Sequence, residues 1–148
     1  MPAVPRIVAI VLPLILFAVA ATADERPAPP APLVKEITGI PLPHKADFSG
    51  SVEKPAVITD EAALAKHFPD DKTRAKLAEL VDFDKQHLLL FQWSGSGGDR
   101  LTARVEASDS EQVIIFDYTP GLTRDLRQHA KLFAVTKGIA WKVQTKLR

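Results

Sequence analysis

Residues 123–129 read Thr-Arg-Asp-Leu-Arg-Gln-His and place two guanidiniums, a carboxylate and an imidazole in one connection. Arginine offers a planar fork of donors that matches carboxylate or phosphate. Arg124, Arg127 and His129, with Arg100 as a neighbour, are the residues through which this chain would hold an anionic ligand or a partner. The competing reading is a solvated turn in which Arg124 or Arg127 pairs with an acid such as Asp99 or Asp117. A surface pair of that kind contributes about 0–1 kcal/mol. The run Gly95-Ser96-Gly97-Gly98 is a second place for chemistry. Glycines let backbone donors approach a phosphate, but no Lys-Ser/Thr pair follows and the next residues alternate like a strand. The plain expectation is a flexible strand connection in which glycine supplies positive φ.

Other chemistries find less support. His44, His67, His87 and His129 are scattered, without the spacing of a zinc site. Asp82 and Asp84 flank Phe83 but lack the ligand series and glycine of a calcium loop. No cofactor is implied. There is no Gly-x-Ser-x-Gly elbow and no cysteine nucleophile. A hydrolase with an unrecognised site would need two facing carboxylates or His129 beside an acid. Trp93 and Trp141 could stack on a sugar, yet residues of this type more often fill a core.

These groups must be positioned by secondary structure. Residues 35–43 suggest a short edge strand, since their prolines restrict where it can sit in a sheet. Thr59 or Asp60 can cap a helix that Pro69 ends near Phe68, and a second helix is expected over 71–80 with Leu77 and Leu80 on its apolar side. The run 88–93, Leu-Leu-Leu-Phe-Gln-Trp, reads as a buried central strand. Residues 101–106 alternate, with Leu101, Ala103 and Val105 on one face. Residues 113–118 form another strand, and 131–136 and 140–145 two last ones around Lys137-Gly138. Short links favour antiparallel neighbours. The expected fold class is α+β: one or two N-terminal helices packed on an antiparallel sheet of about five strands, as a sandwich or partly closed barrel.

Three segments carry a resemblance when taken together. They are Val81-Asp82-Phe83-Asp84 before the central strand, Gly95-Ser96-Gly97-Gly98, and Tyr118-Thr119-Pro120-Gly121 leading into Leu132-Phe133-Ala134-Val135. Through them, over roughly residues 58–146, the chain resembles small exported bacterial proteins of planctomycete type with no assigned function. It is more distantly similar to the C-terminal domain of the PrcB family, linked to the stability of a surface protease complex. The resemblance implies a binding or stabilising module and transfers no catalytic residue. In that family an aromatic commonly follows the paired glycines, where this chain has Asp99.

The N-terminus supplies an address. Arg6, an apolar run over 7–21 and the small-x-small site Ala21-Thr22-Ala23 have the order of a secretory signal peptide. The run is shorter than the roughly 20 residues of a spanning helix. The expected organisation is a signal peptide over 1–23, a proline-rich linker over 24–34 and one domain over 35–148, with no membrane span after cleavage. The compartment is periplasmic or outside the cell. With no cysteine in the chain, stability must come from a core and not from disulfides. Lys and Arg number 19 against 18 Asp and Glu, and Arg6 belongs to the signal, so the mature balance is 18 to 18. That balance gives no global reason to bind nucleic acid or anionic membrane. The leading expectation is therefore a non-enzymatic exported module with a protein or peptide partner in the cell envelope. The alternatives are a small-ligand or carbohydrate binder using the Arg-rich loop, and the hydrolase above.

Overall fold

The computed structural model describes residues 31–43, 50–108 and 111–146. The expected signal peptide, most of the proline-rich linker and His44 lie outside the described residues. The described chain is mixed α and β, mostly strand. Its elements run β1 (Val34–Ile37), β2 (Ala56–Ile58), α1 (Glu61–His67), α2 (Asp71–Leu80), β3 (Gln86–Ser96), β4 (Arg100–Ala107), β5 (Gln112–Thr119), β6 (Leu126–Thr136) and β7 (Ala140–Thr145).

Each helix begins at an aspartate that satisfies an orphan backbone donor. The Ala63 N–H donates to Asp60 at 2.7 Å and the Thr73 N–H to Asp70 at 2.8 Å. Both helices stop at β-region residues, Phe68 and Val81, which close the last turn through their own N–H groups. Leu77 is buried as its spacing predicts, but Leu80 is 42% exposed, so the buried side of α2 is narrower than expected.

The strands form two sheets, not one. The first has the order β1-β6-β3-β2 and is antiparallel throughout; the second has the order β4-β5-β7. The apolar run at 88–91 is continuous because β3 is buried on both faces. Leu88 and Leu90 point to the helices, meeting Ile58, Leu64, Phe68 and Leu77. Leu89, Phe91 and Trp93 point the other way and meet Leu101, Ile114 and Phe116 of the second sheet. The result is three layers, with helices on one face of the first sheet and the second sheet on the other. It is a sandwich and not a closed barrel.

One expected pairing is corrected. β7 does not fold back on β6 as the short turn at Gly138 suggested. Over residues 132–135 β6 already has β1 on one side and β3 on the other, so it has no edge to offer. β7 crosses to the second sheet and pairs with β5, in parallel. The fold also starts before Lys35. Val34 opens β1, and Leu33 accepts the Thr136 N–H and packs on the inter-sheet core.

Phe91, Phe116 and Phe133 fill the centre of that core, with ring centroids 4.8–5.7 Å apart. Phe91→Ala should destabilise the protein by about 3–5 kcal/mol. Leu80→Ala on the exposed side of α2 should cost less than about 1 kcal/mol. Urea unfolding of the two variants checks the contrast.

Candidate functional site

Two connections meet at one end of the sandwich. One is the tight turn between β3 and β4, and the other is the passage 120–125 between β5 and β6. Asp99 ties them. Its Oδ2 accepts from Trp93 Nε1 at 3.0 Å and from Tyr118 OH at 2.7 Å. Its Oδ1 accepts the Gly121 N–H at 2.7 Å, across to the second connection. Burial pushes the Asp99 carboxyl up, and the donors Gly121, Tyr118 and Trp93 more than offset it, so the group sits below its ordinary range. The same contact acts on the phenol. Burial first, then the hydrogen bond and charge of Asp99, push Tyr118 up to about 12.

The glycines serve proximity. Among the described residues the positive-φ glycines are Gly39, Gly50 and Gly138, so the expectation of positive φ in the 95–98 run is not met. Instead Gly98 lies against Gly121. A Cβ on Gly121 would stand 2.5 Å from the Gly98 carbonyl carbon and 2.6 Å from Ser96 Oγ. Ser96 Oγ completes the lock, 2.6 Å from Thr123 Oγ1 and 2.9 Å from the Thr123 carbonyl. Gly97 N–H donates to Asp125 Oδ1 at 3.2 Å, and Arg127 Nε donates to Asp125 Oδ2. Thr123, Gly97 and Arg127 together hold Asp125 down to about 2.

The candidate residues fall into two groups. β6 begins at Leu126, so Arg127 and His129 stand on a strand and not in a loop, opposite Gly95 and Trp93. His129 stacks on the Trp93 ring, with centroids 4.9 Å apart and planes 14° apart. Its Nε2 lies 2.9 Å from the Ser96 carbonyl oxygen, so that nitrogen is the protonated one. Arg100 and Arg124 are exposed, and their side chains make no hydrogen bond or ion pair among the described residues. The anticipated arginine pairs with Asp99 or Asp117 do not form. Arg127 takes Asp125, Asp99 is saturated by uncharged donors, and Asp117 takes Arg104 Nε and Lys146 Nζ, each at 2.8 Å, on the outer face of the second sheet.

Ser96, His129 and Asp99 share this corner but are not arranged for nucleophilic attack. His129 meets the Ser96 backbone, while Ser96 Oγ is turned to Thr123. No group of three or more His, Asp or Glu among the described residues could hold a metal ion. Trp93 is buried and Trp141 is half-buried, edge-on to Phe116 at 6.2 Å. A cleft of about 340 Å³ lies between Pro41–Pro43 and the junction of the helices, and none of the candidate arginines lines it.

Sequence reasoning passed over Asp99 as an anchor, and it passed over Leu122 and Leu126. These two leucines are 80% and 66% exposed; Leu122 lies in the second connection and Leu126 opens β6, with Arg124 between them in sequence. Their signal was visible: they are the two large apolar residues in the otherwise polar run 122–129.

Comparison with known proteins finds no match among family models, curated proteins or solved structures.

Tyr118 is the chain's single tyrosine, so tyrosinate absorbance reports it alone. Its ionisation midpoint in the folded protein should lie at about 12. Asp99→Asn should move it back toward about 10. Because folding raises this pKa, the stabilisation is present below about pH 10 and is lost as pH rises through the folded value. Asp99 is held low, so its contribution stands above about pH 4 and fades as pH falls through its folded value. Gly121→Ala should cost about 1–3 kcal/mol, since the two connections must part to admit the methyl group. Thermal melts of the variant against the parent measure it.

Proposed function

We propose that this chain is an exported, non-enzymatic binding module that docks a protein or peptide partner through this end of the sandwich. The observation that carries the reading is the exposure of Leu122, on a connection held by the Asp99 and Ser96 hydrogen bonds, and of Leu126 where that connection enters β6. A connection ordered this way and leading straight into a strand presents both leucines in a fixed place, which lowers the entropy cost of binding. Arg124 lies between them in sequence, and Arg100 and Arg127 are exposed at the same end of the sandwich, so the apolar groups sit among basic ones. That arrangement fits a partner surface with an apolar anchor site and acidic groups around it. The signal-like residues 1–23 support the exported address, and the resemblance to small exported bacterial proteins agrees with it.

The carbohydrate alternative gains no comparable support, because Trp93 is spent on the core and on Asp99. The test uses the protein as bait on native envelope and secreted fractions, beside a Leu122→Ser, Leu126→Ser variant and an Arg124→Ala, Arg127→Ala variant. The reading expects one protein enriched by the parent, lost with the leucine variant and reduced with the arginine variant at higher salt. Equal capture by all three, with unchanged melts, contradicts it.

A further inference from the structure

The three-stranded sheet ends at β4. β4 pairs with β5 along its full length, residue for residue, and no ladder covers its other edge among the described residues. β1 comes near β4 across the sandwich without pairing with it. At the hairpin end the Ser108 N–H donates to the Glu111 carbonyl. Backbone direction alternates along a strand, so Leu101, Ala103, Val105 and Ala107 turn their N–H and C=O groups outward. Soluble proteins blunt such edges with proline, bulges or inward-pointing charge. β4 has none of these. Its inward row is Leu101, Ala103, Val105 and Ala107, and Val105 remains 42% exposed where the second sheet runs out.

The opposite row of β4 names the occupant. It carries Thr102, Arg104 and Glu106, charges of opposite sign two residues apart. We infer that β4 pairs antiparallel with β4 of a second copy of this chain, about a two-fold axis at Val105. In that register Val105 faces Val105 of the second copy and Ala103 faces Ala107. Arg104 faces Glu106, and the pair occurs twice, once on each side of the axis. The surface is therefore complementary to itself, as an isologous interface requires. A foreign strand of one charge sign would meet a repelling group at one of the two positions. Arg104 spends its Nε on Asp117, and its Nη1 stands 3.6 Å from its own Glu106, so guanidinium donors remain for the second copy. The pairing joins two three-stranded sheets into one. Because β4 starts beside the Asp99 corner, it also places the two corners at opposite ends of the joined sheet. The inference does not depend on what that corner binds.

The cysteine-free chain permits a direct test. Opposed residues in a hydrogen-bonded antiparallel pair have Cα atoms about 5.5 Å apart, within disulfide range. Val105→Cys should cross-link into a covalent dimer on mild oxidation at least about tenfold faster than Val57→Cys, an exposed valine on another sheet edge. Sedimentation equilibrium of the purified protein should give the mass of two chains. Glu106→Lys, which sets like charges face to face, should raise the dimer dissociation constant roughly tenfold. Val105→Pro removes an outward N–H without touching the β5 ladder, and should leave a folded monomer by circular dichroism. A parent protein that stays monomeric overturns the inference. So does a dimer of unchanged affinity in both variants, or equal cross-linking of the two cysteines.

Discussion

Much of the molecule's upper end hangs on one carboxylate. Asp99 collects an indole N–H, a phenol O–H and a backbone N–H from three places in the chain. Each donor is partly or wholly withdrawn from water, and a half-buried donor left without a partner costs about 1–3 kcal/mol. Removing the carboxylate would orphan all three together. Asp99 therefore does more than close a turn. It couples the β3–β4 turn to the β5–β6 passage, and through Trp93 it couples both to the inter-sheet core. The stacked His129 and the Ser96–Thr123 contact extend the same fastening along β6 and the second connection.

The layered architecture supplies the platform. The first sheet is buried on both faces over residues 88–91 and 132–135, and this gives β3 and β6 their rigidity. Both strands then extend past the cover of the helices toward the Asp99 corner. Their side chains change character along the way, from Leu and Phe to Ser, Gln, His and Arg. The polar end can be rigid because the apolar end anchors it. The exposed leucines at 122 and 126 depart from that gradient. Large apolar side chains left this exposed on a held scaffold are the basis of the proposed contact surface.

The fold was legible where local physics is strong. The capping aspartates, Pro69 and the alternation over 101–106 placed the helices and β4 within a residue or so. What periodicity could not show was partition between sheets. The run at 88–91 says only that both faces are buried, and it is silent on which layers do the burying. The parallel β5–β7 pair was hidden for the same reason, since it follows from β6 having no edge left. At the corner, the residue types pointed to Arg124, Arg127 and His129 as a loop cluster. The structure distributes them between a strand and a passage because Leu126 already pairs with Ser96. The glycine run was read for φ and turned out to matter for close approach, a property of two segments that a single segment cannot reveal. Asp99 was legible only as a possible arginine partner and not as an anchor, because the groups it holds lie 6, 19 and 22 residues away.

The central claim is that the passage 120–125 is a rigid presentation surface and not a floppy loop. Backbone ¹⁵N relaxation across residues 119–127 tests it most directly. Order parameters near about 0.85 at Gly121, Thr123 and Asp125, matching the flanking strands and falling in Asp99→Asn, are the result the account predicts. Values below about 0.6 through the passage in the parent protein would contradict it.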